Sequence, residues 1–414
     1  MRKTTKFGLT TAIALIMGST AAFADTVKIA FIDPLSGPFA ATGTNGLHQF
    51  QFAVEKLVNE QGGVLGGTKF EILSYDNKTS PQESLVQLQV AIDQGAKYIV
   101  QGNSSGVAHA LTDAINKHNR RNPDRRVLFL NYSAVDPALT NDACNFWHFR
   151  FDANADMKMD ALTDVMAADD SIQKVYIIGQ DYSFGQAVSA AANAMLAEKR
   201  DDIEVVGDEL HPIGRIQDFT PYARKIIASG ADAVITGNWG SDMLGLGRAI
   251  LENGFTGPIY TYYGAADGIT AAFGETGKGS LRLVAEGQIN PPVSERAVEY
   301  YEAFLAKHPD GNISQPRITN VIEMLAKAID EAGTADDVVA VAYALAGLEH
   351  EGLWGGSMIM RTEDHQLIQD VHIHAHTNED ITFDFDKSGF GLVSESNIEM
   401  AGLDSPTTCQ MDRP

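Results

Sequence analysis

Cysteine is nearly absent from this 414-residue chain: Cys144 and Cys409 are the only two. That excludes a thiolate metal cluster and a dense disulfide framework. Neither cysteine stands in a motif that pairs it with histidine, so a catalytic thiol has no support. In an oxidising compartment a lone pair so far apart predicts one disulfide, stapling the C-terminal tail to the body near residue 144. Basic residues are scarce as well. The 31 Lys and Arg stand against 54 Asp and Glu, a formal net charge of -23. Such a surface repels nucleic acid and anionic lipid and keeps a concentrated protein soluble. Long apolar runs are missing too. The run from Phe7 to Met17 falls short of the ~20 residues that span a bilayer, and no second long stretch follows it. Repeats at solenoid periods and low-complexity tracts are absent.

What is present begins with a secretory layout. Arg2, Lys3 and Lys6 precede the short apolar run, and Ala22-Phe23-Ala24 follows it. Cleavage after Ala24 would leave Asp25 at the mature N-terminus. No cysteine follows the small-residue site, which leaves nothing there for lipid attachment. The length beyond it suits two lobes of about 150 residues or slightly more each.

Short apolar runs alternate with segments of helical spacing through the first two thirds. Val27 to Ile32, Lys69 to Ser74, Tyr98 to Gln101 and Val127 to Leu130 read as buried parallel strands. Between them, Leu47 to Leu57, Ser84 to Ile92 and Ala108 to Ile115 read as helices. A second array starts after Phe151: strands Lys174 to Ile178, Ile203 to Gly207, Ala233 to Thr236 and Pro258 to Tyr262. Helices Gln186 to Leu196, Pro221 to Ser229 and Asp242 to Leu251 separate them. Two α/β arrays in series predict two similar lobes, each a parallel sheet flanked by helices, with a ligand in the cleft between. Past Asn290-Pro291-Pro292 come three helical segments, Glu295 to Leu305, Ile318 to Ala332 and Val338 to Leu345. A hairpin of Ser357 to Arg361 with Leu367 to His376 follows, and a polar stretch from Asn378 wraps the surface.

The opening unit, with Asp33-Pro34-Leu35-Ser36-Gly37-Pro38 after its first strand, resembles periplasmic solute-binding proteins of the leucine/isoleucine/valine type. So do Gly102-Asn103-Ser104-Ser105, Ala134-Val135-Asp136-Pro137, Gln180-Asp181-Tyr182-Ser183-Phe184-Gly185 and Asp218-Phe219-Thr220 followed by a helix and Gly230-Ala231-Asp232-Ala233-Val234. The order and spacing of these pieces run through some 330 residues. The resemblance implies the two-lobe type I periplasmic binding fold with a three-crossing hinge, near Arg150, near Gly287 and between about 353 and 366. Lobe one would then be 25–149 plus 288–353, lobe two 150–287 plus 354–395, and 396–414 a C-terminal tail.

Binding a small carboxylate needs converging donors and an apolar enclosure. Ser104 and Ser105 stand where a strand ends and a helix begins, so hydroxyls and free N–H groups can meet an anion; a helix N-cap is the plainer role for Ser104. Ala134 holds a position where the family contributes backbone groups. Tyr182, Phe184 and Trp239 lie on loops after strands, where they can close over a solute or simply pack. Two departures bear on the ligand. Where the family places an acid for an α-ammonium, this chain has Tyr262-Tyr263-Gly264, with Asp267 a turn later, and Thr42 replaces a tyrosine of the first loop. An unpaired buried ammonium costs several kcal/mol, so an amide or an aromatic carboxylate competes with an amino acid.

Other motifs compete. Gly102-Asn103-Ser104-Ser105-Gly106 fits a hydrolase nucleophile elbow, though no oxyanion loop precedes it. His372, His374 and His376 share one face of a strand; a solvent-facing edge opposite buried Val371, Ile373 and Ala375 is preferred over a zinc site. Asp384 to Glu395 has calcium-loop spacing without flanking helices, and reads as a polar turn. The sequence thus predicts a monomeric, non-enzymatic periplasmic protein that needs no cofactor or metal and hands its solute to an ABC permease of the inner membrane. An exported serine hydrolase using Ser104 and a ligand sensor for a membrane receptor are the alternatives.

Overall fold

The computed structural model describes residues 26–414, so the expected signal segment lies outside the described residues. Five strands come first: β1 (Val27–Asp33), β2 (Phe70–Asp76), β3 (Tyr98–Gln101), β4 (Leu128–Asn131) and β5 (His148–Arg150). They pair in the order β2-β1-β3-β4-β5, all parallel. Their apolar runs are short and buried because helices cover both faces. The next five are β6 (Lys174–Gln180), β7 (Glu204–His211), β8 (Ala233–Thr236), β9 (Ile259–Thr261) and β10 (Leu281–Ala285). These run parallel in the order β7-β6-β8-β9-β10. The sequence thus placed both arrays, but it missed β5 and β10 as strands.

After β10 the chain returns to the first body. Helix Arg317–Ala332 sets Ile318, Val321, Ile322, Leu325, Ala328 and Ile329 on one face, the i, i+3, i+4 stripe of a helix that must pack. That stripe joins the core of the first sheet, as do Val338, Val341, Ala342 and Leu345 of the following helix. Gly333, left-handed at φ 67°, ends the first of the two.

A small sheet of β11 (Glu349–Glu351), β12 (Ser357–Met360) and β13 (Leu367–Gln369) follows. The β12–β13 hairpin was expected, but its second arm is two strands, not one. Asp370 divides it, accepting from the N–H of Met400 at 2.7 Å, and β14 (Val371–Thr377) joins the second sheet antiparallel to β10. The polar segment after Asn378 also differs from expectation. It supplies β15 (Gly391–Ile398), which pairs along the whole of β14.

That pairing corrects the histidine reading. With β10 on one side and β15 on the other, β14 is no edge, and His374 and His376 are buried along with Val371, Ile373 and Ala375. The His376 ring stacks on Phe390 and meets Phe273 edge-on. Burial holds the His374 imidazole down to about 3 and lowers His376 as well. The calcium-loop spacing also resolves differently. Glu395 pairs with Arg282 at 2.7 Å, and Asp386 caps residues 268–271, accepting from the N–H of Gly268 at 2.8 Å.

The tail crosses back to the first body. Thr407 and Thr408 bond residues 140–142, Met411 packs against the first core, and Cys409 is disulfide-bonded to Cys144 with Cα atoms 5.8 Å apart. No helix among the described residues is long and apolar enough to cross a membrane.

Candidate functional site

Strand order changes direction between β1 and β3 in the first sheet and between β6 and β8 in the second, and the loops leaving those strands diverge to open a crevice. Asp33, at the end of β1, is fully buried. It accepts from the N–H groups of Gly102 and Asn103 at 3.1 and 3.0 Å and from the Tyr132 hydroxyl at 2.7 Å. Burial outweighs these donors and lifts its carboxyl to about 7. Asp33 thereby holds the loop that carries Ser104.

Ser104 precedes helix Ser105–Arg121 with φ 89° and makes no side-chain cap. The N-cap reading is therefore set aside: a left-handed serine is strained, and its hydroxyl is left to face the cleft. Ser105 accepts from the N–H of Asp136 at 3.3 Å, which leaves its own proton to donate. Ala134 is closer to a wall than a donor, since its N–H and C=O are both engaged by the Asn131 side chain.

Across the cleft stand Tyr182 and Phe184 after β6, Trp239 after β8, and Tyr262 and Tyr263 after β9. The Trp239 indole donates to the Tyr182 hydroxyl at 2.9 Å, and Phe184 meets Tyr182, Tyr262 and Tyr263 edge-on. Tyr263 donates to the carbonyl of Ser133 at 2.9 Å, joining the two sides. All seven expected residues, Ser104, Ser105, Ala134, Tyr182, Phe184, Trp239 and Tyr263, line one cavity of about 650 Å³, its opening to solvent included. No histidine among the described residues lines it, so Ser104 has no imidazole base there.

The sequence did not reveal the charges beneath. Arg317 lines the cavity and bonds Glu286 at 2.6 Å and the Ser133 hydroxyl at 2.8 Å, with Asp152 at 3.4 Å from its Nε. Lys158 reaches Asp152 at 2.6 Å and Glu286 at 3.8 Å. All four side chains are buried. Burial opposes the charge on Glu286, yet Arg317 and Lys158 hold its carboxyl well below the usual range. Two cations thus balance two carboxylates where the chain passes between sheets, Asp152 just after β5 and Glu286 just after β10. The available signal was a charge directly following a buried strand, in Phe149-Arg150-Phe151-Asp152 and Val284-Ala285-Glu286. Thr42, Asn103, Asp267, Ser314 and Gln315 complete the polar part of the lining.

A profile of the periplasmic binding protein family matches residues 26–376. The chain belongs to that family. Among curated relatives of this periplasmic binding protein, a Leu/Ile/Val-binding protein homolog 4 of Brucella melitensis is 31% identical, covering 91% of each chain. Among solved structures, the closed conformation of a leucine-, isoleucine-, valine-, threonine- and alanine-binding protein from Brucella ovis superposes with a TM-score of 0.82. It is 29% identical over 94% of this chain and all of that one. A solute-binding protein of an ABC transporter from R. palustris, solved with benzoate, shares the fold with a TM-score of 0.76. Its identity is 15%, over 93% of this chain and 99% of its own. The two-lobe fold of the periplasmic binding proteins is thus the fold of this chain.

Proposed function

We propose that this periplasmic binding protein is the solute-binding component of an ABC importer. It captures a branched-chain amino acid or a related small amide or carboxylate in the interlobe cleft and performs no catalysis. One observation carries the reading: an uncapped serine hydroxyl at the start of a 17-residue helix faces a wall of five aromatic side chains from the other sheet. A helix start and free hydroxyls favour a carboxylate, and the rings exclude water from the rest of the solute. The relatives' names, Leu/Ile/Val-binding proteins, support the same class.

The acidic charge, the exported layout of residues 1–24 and the disulfide fit a monomer at work in the periplasm. Its partner would be a permease of the inner membrane. The body built on the first sheet, 25–149 with 288–353, receives the solute, and 150–287 with 354–395 closes over it, a population shift driven by binding.

A thermal-shift screen of the mature protein against branched-chain amino acids, amides and aromatic carboxylates tests this. A ligand that binds only the native state raises the melting temperature. Ser104→Ala removes one charge-assisted hydrogen bond, about 1.5–3 kcal/mol, and weakens affinity roughly ten- to a hundredfold. Ester hydrolysis that needs Ser104, with no shift from any solute, would overturn the reading.

A further inference from the structure

We propose that Asp386 is a positioning residue of the solute site, a clamp outside the cavity that fixes two segments of its wall, one from each body, against each other; this rests on the reading of the cleft as a solute site. The first segment is the loop after β9, whose Ala265, Ala266 and Asp267 line the cavity. The second leads into helix Arg317–Ala332 and contributes Ser314 and Gln315. Asp386 reaches both. Its Oδ1 accepts from the N–H of Gly268 at 2.8 Å and from the Asn312 amide at 2.8 Å. Its Oδ2 accepts from the N–H of Thr270 at 3.1 Å and from the Thr270 hydroxyl at 2.5 Å. The Asp386 N–H returns a bond to Oδ1 of Asn312 at 3.0 Å, so that pair is joined twice.

The two segments are anchored on different bodies. Asp386 stands in the loop joining β14 to β15, and these strands share the second sheet with β9. The segment after Asn312 is tied to helix Ala40–Ala53 of the first body: the Ser314 hydroxyl accepts from Asn45 at 3.3 Å and Gln49 at 3.4 Å, and the N–H of Gln315 donates to Gln49 at 3.3 Å. Phe52 of the same helix meets Tyr300 and Phe304 edge-on. The loop carrying Asp386 is itself held firmly. Phe383 stacks on Tyr301 with centroids 4.1 Å apart, and the Asn290 side chain bonds both the N–H and the C=O of Phe383. Asp386 and Lys387 are both left-handed, at φ 58° and 52°. Two such residues in a row are strained and persist where the surroundings over-determine them. Neither Asp386 nor Asn312 lines the cavity. Removing the clamp therefore touches no solute contact but lets the two wall segments part, which acts on release and not on capture.

Stopped-flow binding to the mature protein, unfolded and refolded to release bound solute, tests this with leucine, valine and benzoate as probes. Asp386→Gly removes the carboxylate without adding strain at a left-handed position. It should release a bound probe about tenfold faster, with association within about twofold of the unmodified protein. Asp386→Asn keeps one oxygen for Gly268 and Asn312 and suits the left-handed backbone, so release should return to within about threefold. Asn312→Ala spares the bonds from Asp386 to residues 268–271 and keeps the test open if Asp386→Gly fails to fold. It should speed release in the same way, and the double variant should be no faster than the quicker single one. Lys387→Gln breaks only an exposed ion pair with Asp310 and should leave both rates unchanged. Unchanged release from Asp386→Gly and Asn312→Ala, whatever their melting temperatures, overturns the proposal and leaves the solute reading standing, with Asp386 a cap that only stabilises its loop. Asp386→Asn releasing as fast as Asp386→Gly overturns it too, because charge and not the clamping bonds would then be at work. Binding of none of the three probes removes the reading of the cleft and the proposal with it.

Discussion

The ring of Phe39 lies on the indole of Trp239, centroids 4.0 Å apart and planes 29° from parallel. Phe39 immediately precedes helix Ala40–Ala53 of the first body, while Trp239 leaves β8 of the second. The contact therefore spans the cleft beside the cavity. Gly240 permits it: its φ is 57°, and a Cβ there would come within 2.8 Å of the Phe39 ring. Opening the cleft separates the two rings and wets both.

Phe39 does not line the cavity, so Phe39→Ala tests closure apart from solute chemistry. Affinity should fall about tenfold, chiefly through faster release, with solute preference unchanged. Trp239→Ala should cost more, because that ring also encloses solute. In a double-mutant cycle the pair should couple by about 0.5–1.5 kcal/mol. Stopped-flow release of solute reads both effects.

The buried charges between the sheets make a second prediction. Arg317→Met leaves Asp152 and Glu286 with Lys158 alone, and breaking such a set from one side costs about 3–5 kcal/mol. Urea unfolding would measure it. An undiminished midpoint would mean that water already screens these groups.

Acid acts on this fold with two signs. Between 6.5 and its native value of about 3, His374 is protonated in the unfolded chain and neutral in the native one. Stability therefore falls as pH falls through that range, by about 1.4 kcal/mol per unit for one such site. Asp33, lifted to about 7 against 3.8 when unfolded, keeps a proton that the unfolded chain has released, and adds stability as pH falls through that range. His374→Gln should flatten the acid limb of a stability profile, and Asp33→Asn should steepen it. Unfolding midpoints from pH 8 to 4 check both slopes.

Replacing Cys144 and Cys409 by serine opens a loop spanning 265 residues. The loss should be about 2–5 kcal/mol, if closure restricts the unfolded chain as the entropy account holds. Melting with and without reductant, compared with the double variant, measures it.

The alternation of strands and helices was legible because runs such as Ile29 to Ile32 and Tyr98 to Val100 are continuously apolar and fully buried, a pattern that solvent-facing segments do not copy. Loops after those strands were legible for the same reason, which is how Ser104 and Trp239 came together. β15 was not, since Ser394, Glu395, Ser396 and Asn397 read as surface, and its pairing with β14 is decided by backbone bonds that carry no side-chain signature. Without β15, the three histidines of β14 pass for an exposed edge. Asp33, Asp152, Glu286 and Arg317 were hidden for a different reason. A charge in a sequence is taken to seek water, and only the fold reveals the partner that lets it do otherwise.

The disulfide has a mechanical side. With the three-crossing hinge that the family resemblance implies, three passages of the main chain join the two bodies, and each would swivel. The tail leaves β15 in the second body and is riveted to Cys144 in the first, which makes a fourth link. Ten peptide bonds separate Glu399 from Cys409, a leash of at most about 35 Å when taut, so the lobes can part but cannot splay freely. Reduction would release the leash while sparing the three swivels, and would widen the range of openings that a permease has to recognise.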